Sequence, residues 1–150
     1  MAGSAFNLLS DDQEIDQILN TVNTIAVVGA SPNPDRVSHQ IMMLLSEKGY
    51  DVIAINPRPG LEEIEGIKVY PDLRSVDRPV DMVDVFRRPE HLMEVAKDAI
   101  AINAKVLWGQ LGVVNQEAAE LASEAGLKVV MDKCPKIEFE RMGLQRKAKP

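Results

Sequence analysis

The stretch from Thr24 to Ser38 constrains the fold more than any other part of the sequence. It begins with an apolar run that contains β-branched residues, T-I-A-V-V, and continues through Gly29 into a loop with two prolines. Such a run is typical of a strand that is buried on both faces in a parallel sheet. A helical pattern opens near Ser38. The stretch therefore predicts the strand–loop–helix start of a nucleotide-binding α/β unit, in which N–H groups of the loop and helix receive phosphate.

The loop differs from the common dinucleotide-binding fingerprint. That fingerprint, G-x-G-x-x-G, has three glycines, whereas this loop keeps only Gly29 and continues with Ala30, Ser31 and Pro32. An ordinary strand-to-helix turn capped by Ser38 is the alternative interpretation. We expect a phosphate-binding loop that does not follow the common dinucleotide pattern.

Helical and strand patterns alternate along the rest of the chain, which predicts right-handed crossovers and a parallel sheet. The predicted fold class is α/β, a single Rossmann-like three-layer domain over residues 1–150 with an ordered core of about 11–143. We expect a sheet of five or six strands in the order 3-2-1-4-5-6. A leading helix is predicted at about 11–22 and a surface loop at 58–66. The predicted strands are residues 25–29, 51–57, 67–70, 80–86, 105–108 and 127–131.

Open parallel sheets bind their ligands outside the carboxyl ends of the strands, and this rule selects candidate residues. Beyond the first loop, Arg36 and the helix residue Ser38, which are ligand-binding candidates, the later strand ends offer Asn56, Pro57, Arg58, Phe86, Arg87, Trp108, Gln110 and Cys134. Arg36 either covers a pyrophosphate or is a solvated surface arginine. Of the adjacent pair Arg87 and Arg88, one is expected to reach the ligand, while the other faces water or a carboxylate.

The end of the second strand argues against NAD. An NAD site usually has an acidic residue there, which accepts a hydrogen bond from the ribose 2′-hydroxyl. This sequence has Asn56 and, two residues later, Arg58. An arginine suits a ribose that carries a phosphate, as in NADP or coenzyme A.

Two candidates have a structural and a functional interpretation that the sequence leaves open. Trp108 is either a core residue or a wall for an adenine or pantetheine group. Cys134 is either an inert buried thiol or a reactive thiol, because Lys133 and a helix starting near Pro135 both favour a thiolate. In the second case, Cys134 is predicted to form a reversible mixed disulfide with coenzyme A.

Composition excludes several classes of protein. The net charge of −6 argues against a nucleic-acid partner, and the single cysteine fits a reducing, cytoplasmic compartment. No apolar run is long enough to span a membrane, so no membrane association is expected.

Neither His39 nor His91 has neighbours at metal-ligand spacing, and the G-x-S-x-G elbow is absent. Because no catalytic constellation is visible, the sequence favours a binding protein over an enzyme.

Several segments together resemble the small CoA-binding domain family, which is similar to the N-terminal CoA-binding domain of the succinyl-CoA synthetase alpha subunit. The similarity covers about residues 12–143 and rests on V-G-A-S at 28–31, P-D-R at 34–36, G-Y-D-V-I at 49–53, N-P at 56–57, V-D-M-V-D-V-F-R at 80–87 and M-D-K-C-P at 131–135.

The resemblance implies CoA contacts at 29–32, 56–58, 86–87 and 108–110. It does not imply ligase activity, because the synthetase needs a second domain with a phosphorylated histidine and a separate nucleotide-binding subunit.

The sequence is therefore expected to encode a small stand-alone module that binds coenzyme A or an acyl-CoA as a sensor, carrier or partner protein. One alternative is an NADP-dependent oxidoreductase, which shares the phosphate loop and the arginine. The other is an interaction protein with a vestigial nucleotide site. A protein partner or a homodimer is compatible with each of these functions.

Overall fold

The structure, a computed structural model, describes residues 12–144. The first residue of the predicted leading helix and the predicted tails at both chain ends lie outside this range. Five α-helices and seven strands occur in residues 12–144: α1 Asp12–Thr21, β1 Thr24–Val28, α2 Val37–Glu47, β2 Asp51–Ile55, β3 Glu63–Ile64, β4 Ile67–Tyr70, β5 Met82–Val85, α3 Leu92–Ala101, β6 Val106–Gly109, α4 Gln116–Glu124, β7 Lys128–Val130 and α5 Pro135–Met142. Short 3₁₀ turns cover Leu73–Ser75 and Pro89–His91.

The sheet has the strand order β3-β4-β2-β1-β5-β6-β7. β1 lies at its centre and pairs in parallel with β2 on one side and β5 on the other. The pairs β2–β4, β5–β6 and β6–β7 are also parallel. The predicted order 3-2-1-4-5-6 is confirmed for the six strands that the sequence predicted.

The predicted count of five or six strands is wrong, because the described sheet has seven. The additional strand β3 pairs antiparallel with β4 in a hairpin inside the predicted surface loop. A two-residue turn joins the strands, and both of its residues, Glu65 and Gly66, have positive φ angles (50° and 86°). Strands joined by such a turn form a tight hairpin. β3 is only two residues long, too short to produce a period in the sequence.

The helices cover both faces of the sheet and create two apolar cores. One core contains side chains of α1, α2 and α5, including Ile18, Met42 and Phe139. The other contains small and aliphatic side chains of α3 and α4, including Ala96 and Ala119. All five residues of β1 are buried. This confirms the predicted three-layer, Rossmann-like arrangement for the described residues. Because β1 is covered on both faces, its sequence is a continuous apolar run.

Candidate functional site

A cleft of about 550 Å³ opens at the carboxyl ends of β1 and β2. It adjoins the point where the order of the strands reverses around β1, which is where open α/β sheets bind ligands. Seven of the residues that the sequence singled out line this cleft: Gly29, Ala30, Ser31, Arg36, Asn56, Pro57 and Arg87.

Gly29 turns the chain away from the sheet at the start of the loop. Its φ angle is +87°, in the left-handed region that favours glycine. A Cβ atom at this position would lie 2.9 Å from the backbone oxygen of Phe86. The loop therefore needs glycine here for its conformation and for its close approach to the chain that follows β5.

Side chains hold two carbonyl groups of the loop. The Asn56 side-chain amide donates a hydrogen bond of 2.7 Å to the oxygen of Ala30. The imidazole Nδ1 of His39 lies 3.0 Å from the oxygen of Ser31. Carbonyl oxygens repel an anion. Because hydrogen bonds from His39 and Asn56 occupy both of these oxygens, the loop is better suited to bind an anion.

The helix that follows the loop offers N–H donors. Its N-cap residue is Arg36, whose side chain makes no capping hydrogen bond, and Ser38 lies buried in the first turn. The alternative interpretation, a turn capped by Ser38, does not agree with this geometry, because Arg36 is the N-cap and Ser38 is already inside the helix. The first N–H groups of a helix have no partner within the helix, and together with the helix dipole they attract anions.

The cleft has a basic side and an acidic side. Arg36 and Arg87 line it close to the loop. Asp72, Glu94 and Asp98 line it on the side of β4 and α3, where Asp98 accepts a hydrogen bond of 2.7 Å from the exposed Arg74. The sequence analysis missed these three acidic residues. A possible signal was the spacing of Glu94 and Asp98, which are four residues apart and therefore share one face of α3.

Four further candidates border the cleft without lining it. Arg58 is exposed, and its backbone N–H donates to Asn56 Oδ1 at 2.9 Å in a local turn. Pro32 continues the loop beyond Ser31 and is partly exposed. Phe86 is half-buried against the core, and Ser38 is buried in the first turn of α2. Among them, Arg58 is the exposed cation, and it directly follows Pro57, which lines the cleft.

The last three candidates lie in the core rather than on the cleft wall. Trp108 is fully buried, and its indole N–H donates to the oxygen of Lys133 at 2.8 Å. This placement agrees with the core alternative for Trp108. Gln110 and Cys134 are 5% and 6% exposed. The predicted strand 105–108 ends at Trp108, whereas β6 continues to Gly109, so Trp108 lies inside the sheet and not at its edge.

Gln110 contacts a carboxyl group that the sequence analysis did not single out. With its amide nitrogen directed at Asp84, Gln110 donates to both carboxyl oxygens at 2.9 and 3.2 Å. Asp84 is fully buried in β5, and this desolvation raises its pKa well above the usual range. The available signal was an acidic residue inside the otherwise apolar run M-V-D-V.

The burial of Cys134 leads to a testable expectation. The thiol packs in the core with α1, α2 and α5 and has little access to solvent. We expect the folded protein to keep its unmodified mass during incubation with CoA disulfide, and to gain a CoA-sized, reductant-sensitive adduct in urea. Intact-protein mass spectrometry of wild type and Cys134→Ser measures this. Rapid modification of the folded wild type would instead support the mixed-disulfide hypothesis.

The described residues contain no group of three or more His, Cys, Asp and Glu side chains that could hold a metal ion. Nor does any helix in residues 12–144 have the length and apolar character needed to cross a membrane.

Comparisons with known proteins agree with the fold. The chain is 42% identical over 124 residues to the uncharacterized protein YneT of Bacillus subtilis, covering 83% of this chain and 90% of YneT. The solved structure of a hypothetical protein from Pyrococcus horikoshii OT3 has a TM-score of 0.84 at 40% identity, covering 90% of this chain and 94% of that one.

A larger protein shares part of its length with this chain. The alpha subunit of the ADP-forming acetate–CoA ligase I of Pyrococcus furiosus is 28% identical over 121 residues, which is 71% of this chain and 26% of that subunit. The model of the CoA binding domain family matches residues 23–140, which include every residue that lines the cleft. The chain belongs to the CoA binding domain family.

Proposed function

We propose that the protein binds coenzyme A or an acyl-CoA in the cleft between the β1 loop and α3, as a small stand-alone module without ligase activity. The observation that carries the proposal is the geometry of the loop at the end of β1. There, two loop carbonyls are engaged by side chains, α2 begins without a side-chain cap, and Arg36 and Arg87 add positive charge. The family and the relation to a CoA ligase subunit support coenzyme A as the nucleotide.

The proposed role is that of a sensor, a carrier or a partner of another protein, in the cytoplasm. The ligase subunit is about four times as long as the region that it shares with this chain. Binding alone leaves an acyl-CoA unchanged, which suits a protein that reports or delivers its ligand.

Native mass spectrometry of freshly purified protein tests the proposal. A retained or added ligand of CoA mass supports it, and titration calorimetry with coenzyme A, acetyl-CoA and NADP then ranks the ligands. Retention of NADP in preference to coenzyme A would favour an oxidoreductase instead. The same spectra show whether the protein is a monomer or a homodimer.

The two neighbouring arginines after β5 provide a matched test of the cleft. Arg87 lines the cleft, whereas the Arg88 side chain is 80% exposed and lies 3.9 Å from Glu90. Because a hydrogen bond to a charged group contributes about 1.5–3 kcal/mol, we expect Arg87→Ala to weaken CoA binding about ten-fold or more. Arg88→Ala serves as the control and should bind like wild type in calorimetry. Equal affinities of the two variants would remove Arg87 from the site.

Arg58 is expected to distinguish the phosphorylated ribose from the free ribose. It is exposed at the rim, immediately after Pro57, which lines the cleft. Loss of a charge-assisted contact in Arg58→Ala should reduce the preference for CoA over dephospho-CoA by about ten-fold. Calorimetry with both ligands measures this preference. A parallel loss of affinity for both ligands would assign the role to another arginine, with Arg36 and Arg87 next.

A further inference from the structure

One buried side chain connects the β1 loop to the β3–β4 hairpin. The His39 side chain is 4% exposed, and its two ring nitrogens face different segments. Nδ1 lies 3.0 Å from the backbone oxygen of Ser31 in the loop. Nε2 lies 2.8 Å from Oε2 of Glu65 at the tip of the hairpin. The loop that lines the cleft is thus bridged to an antiparallel hairpin next to the parallel sheet.

Both partners of His39 are hydrogen-bond acceptors. A neutral imidazole has one N–H, so it can donate to only one of the two oxygens. The doubly protonated ring has two N–H groups and satisfies both. The complete bridge from Ser31 to Glu65 therefore belongs to the protonated form of His39.

The hairpin places Glu65 in a restricted backbone conformation. Glu65 has a φ angle of +50°, which is uncommon for a residue with a side chain, and Gly66 follows at +86°. This two-residue turn directs the Glu65 carboxylate at His39 from a segment that is 26 positions away in the sequence. The hairpin thus provides a fixed acceptor on the side of His39 opposite the loop.

We propose that His39, held by Glu65, is the positioning residue for the phosphate-binding loop, and that its protonated form holds the Ser31 carbonyl away from the bound anion. This inference rests on the proposed binding of coenzyme A. When His39 is protonated, the Ser31 carbonyl is engaged and does not oppose an anion bound beside the loop and the start of α2. When His39 loses a proton, one side of the bridge lacks its donor, the loop loosens, and affinity falls.

Other charged groups lie near the same ring. Glu47 on α2 and Lys136 on α5 line a shallow groove together with His39. Glu65 is the charged group in direct contact with the ring, so a change at Glu65 tests the bridge with the least disturbance to the remaining charges. Glu63, exposed on β3, offers a control of the same charge in the same hairpin.

The bridge can be tested without a ligand. Nitrogen-detected NMR of histidine side chains reports the protonation of His39, and the backbone amide signals of Ser31 and Asn33 report the loop. The signals are followed over about pH 5 to 8, and we expect the two amide signals to shift wherever the His39 signals report a change in its protonation. The coupled shift should be lost in Glu65→Ala and His39→Leu but retained in Glu63→Ala. The proposal would be overturned if the Ser31 and Asn33 amide signals did not change with the protonation state of His39.

Its effect on binding is measured best with dephospho-CoA, whose ribose carries no phosphate that titrates in the same range. Calorimetry should show about ten-fold weaker binding at the high end of the range, and a similar loss at low pH in Glu65→Ala. His39→Leu should bind weakly at every pH, with its thermal unfolding measured in parallel to show that it remains folded. An affinity that does not change with pH in the wild type contradicts the positioning role.

The two proposals fail in different ways. A wild type that binds neither coenzyme A nor dephospho-CoA at any pH refutes the proposed function, while the NMR experiment still decides whether His39 holds the loop. A wild type that binds both ligands with a flat pH profile retains the function and loses the positioning role of His39. Normal binding by a folded His39→Leu variant would also refute the positioning role of His39 and leave the proposed function intact.

Discussion

Replacing Gly29 with alanine should destabilise the protein by about 2–4 kcal/mol and eliminate measurable CoA binding. Two costs add at this position. The left-handed conformation, with φ at +87°, disfavours any side chain, and the new Cβ would lie 2.9 Å from the backbone oxygen of Phe86. The chain after β5 is fixed by a hydrogen bond of 2.8 Å from the Phe86 N–H to the oxygen of Val28, so it cannot move away freely.

Gly60 supplies the control for this substitution. It has a similar φ angle of +80°, but no atom lies within 4 Å of the position of its Cβ. Gly60→Ala should therefore cost only the conformational term, about 1 kcal/mol. Urea unfolding of both variants separates the two costs, and calorimetry with coenzyme A reports the loop. If Gly29→Ala lost no more stability than Gly60→Ala, the close approach to Phe86 would not constrain the loop.

Replacing Asp84 with asparagine should stabilise the protein relative to wild type, increasingly so at higher pH. Burial raises the pKa of Asp84 in the folded state above its value in the unfolded chain. Above about pH 4, the Asp84 carboxyl is ionised in the unfolded chain but stays protonated in the folded protein. The wild type therefore loses stability as the pH rises toward the pKa of Asp84 in the folded state. Asparagine has no proton to lose and still offers an oxygen to the Gln110 amide.

We expect Asp84→Asn to exceed wild type in free energy of unfolding at pH 8, with a smaller difference at pH 5. Comparing the variant with the wild type at each pH removes the contributions of the other titrating groups. Glu62→Gln makes the same change of charge on an exposed side chain and should alter stability little. The free energy of unfolding in urea provides the measurement. A difference between Asp84→Asn and wild type that is the same at both pH values would contradict the expectation.

The sequence predicts the strand order well because each parallel strand is a continuous apolar run followed by a helix. The turn at Gly29 follows from the same pattern, since a glycine at the end of a buried run marks a sharp turn. The hairpin was missed because β3 has only two residues, one of them polar. Short pairs of this kind depend on turn geometry more than on side-chain pattern.

The cleft was predictable only in part, for identifiable reasons. The residues at the ends of β1, β2 and β5 follow from topology alone. Trp108 was ambiguous because a shift of one residue in the end of β6 decides between strand and loop. The roles of His39 and Glu65 depend on a contact between distant segments. Glu94 and Asp98 share one face of α3, but solvated surface helices have the same spacing, so it did not single out Glu94.

The two outer strands of the sheet also affect how copies of the protein meet one another. β3 has two residues and β7 has three. A long exposed strand offers a row of unpaired N–H and C=O groups to a neighbouring chain, and this is a common route to aggregation. Edges this short offer few such groups. Strand-by-strand growth between copies would therefore gain little at either edge of the sheet that residues 12–144 form.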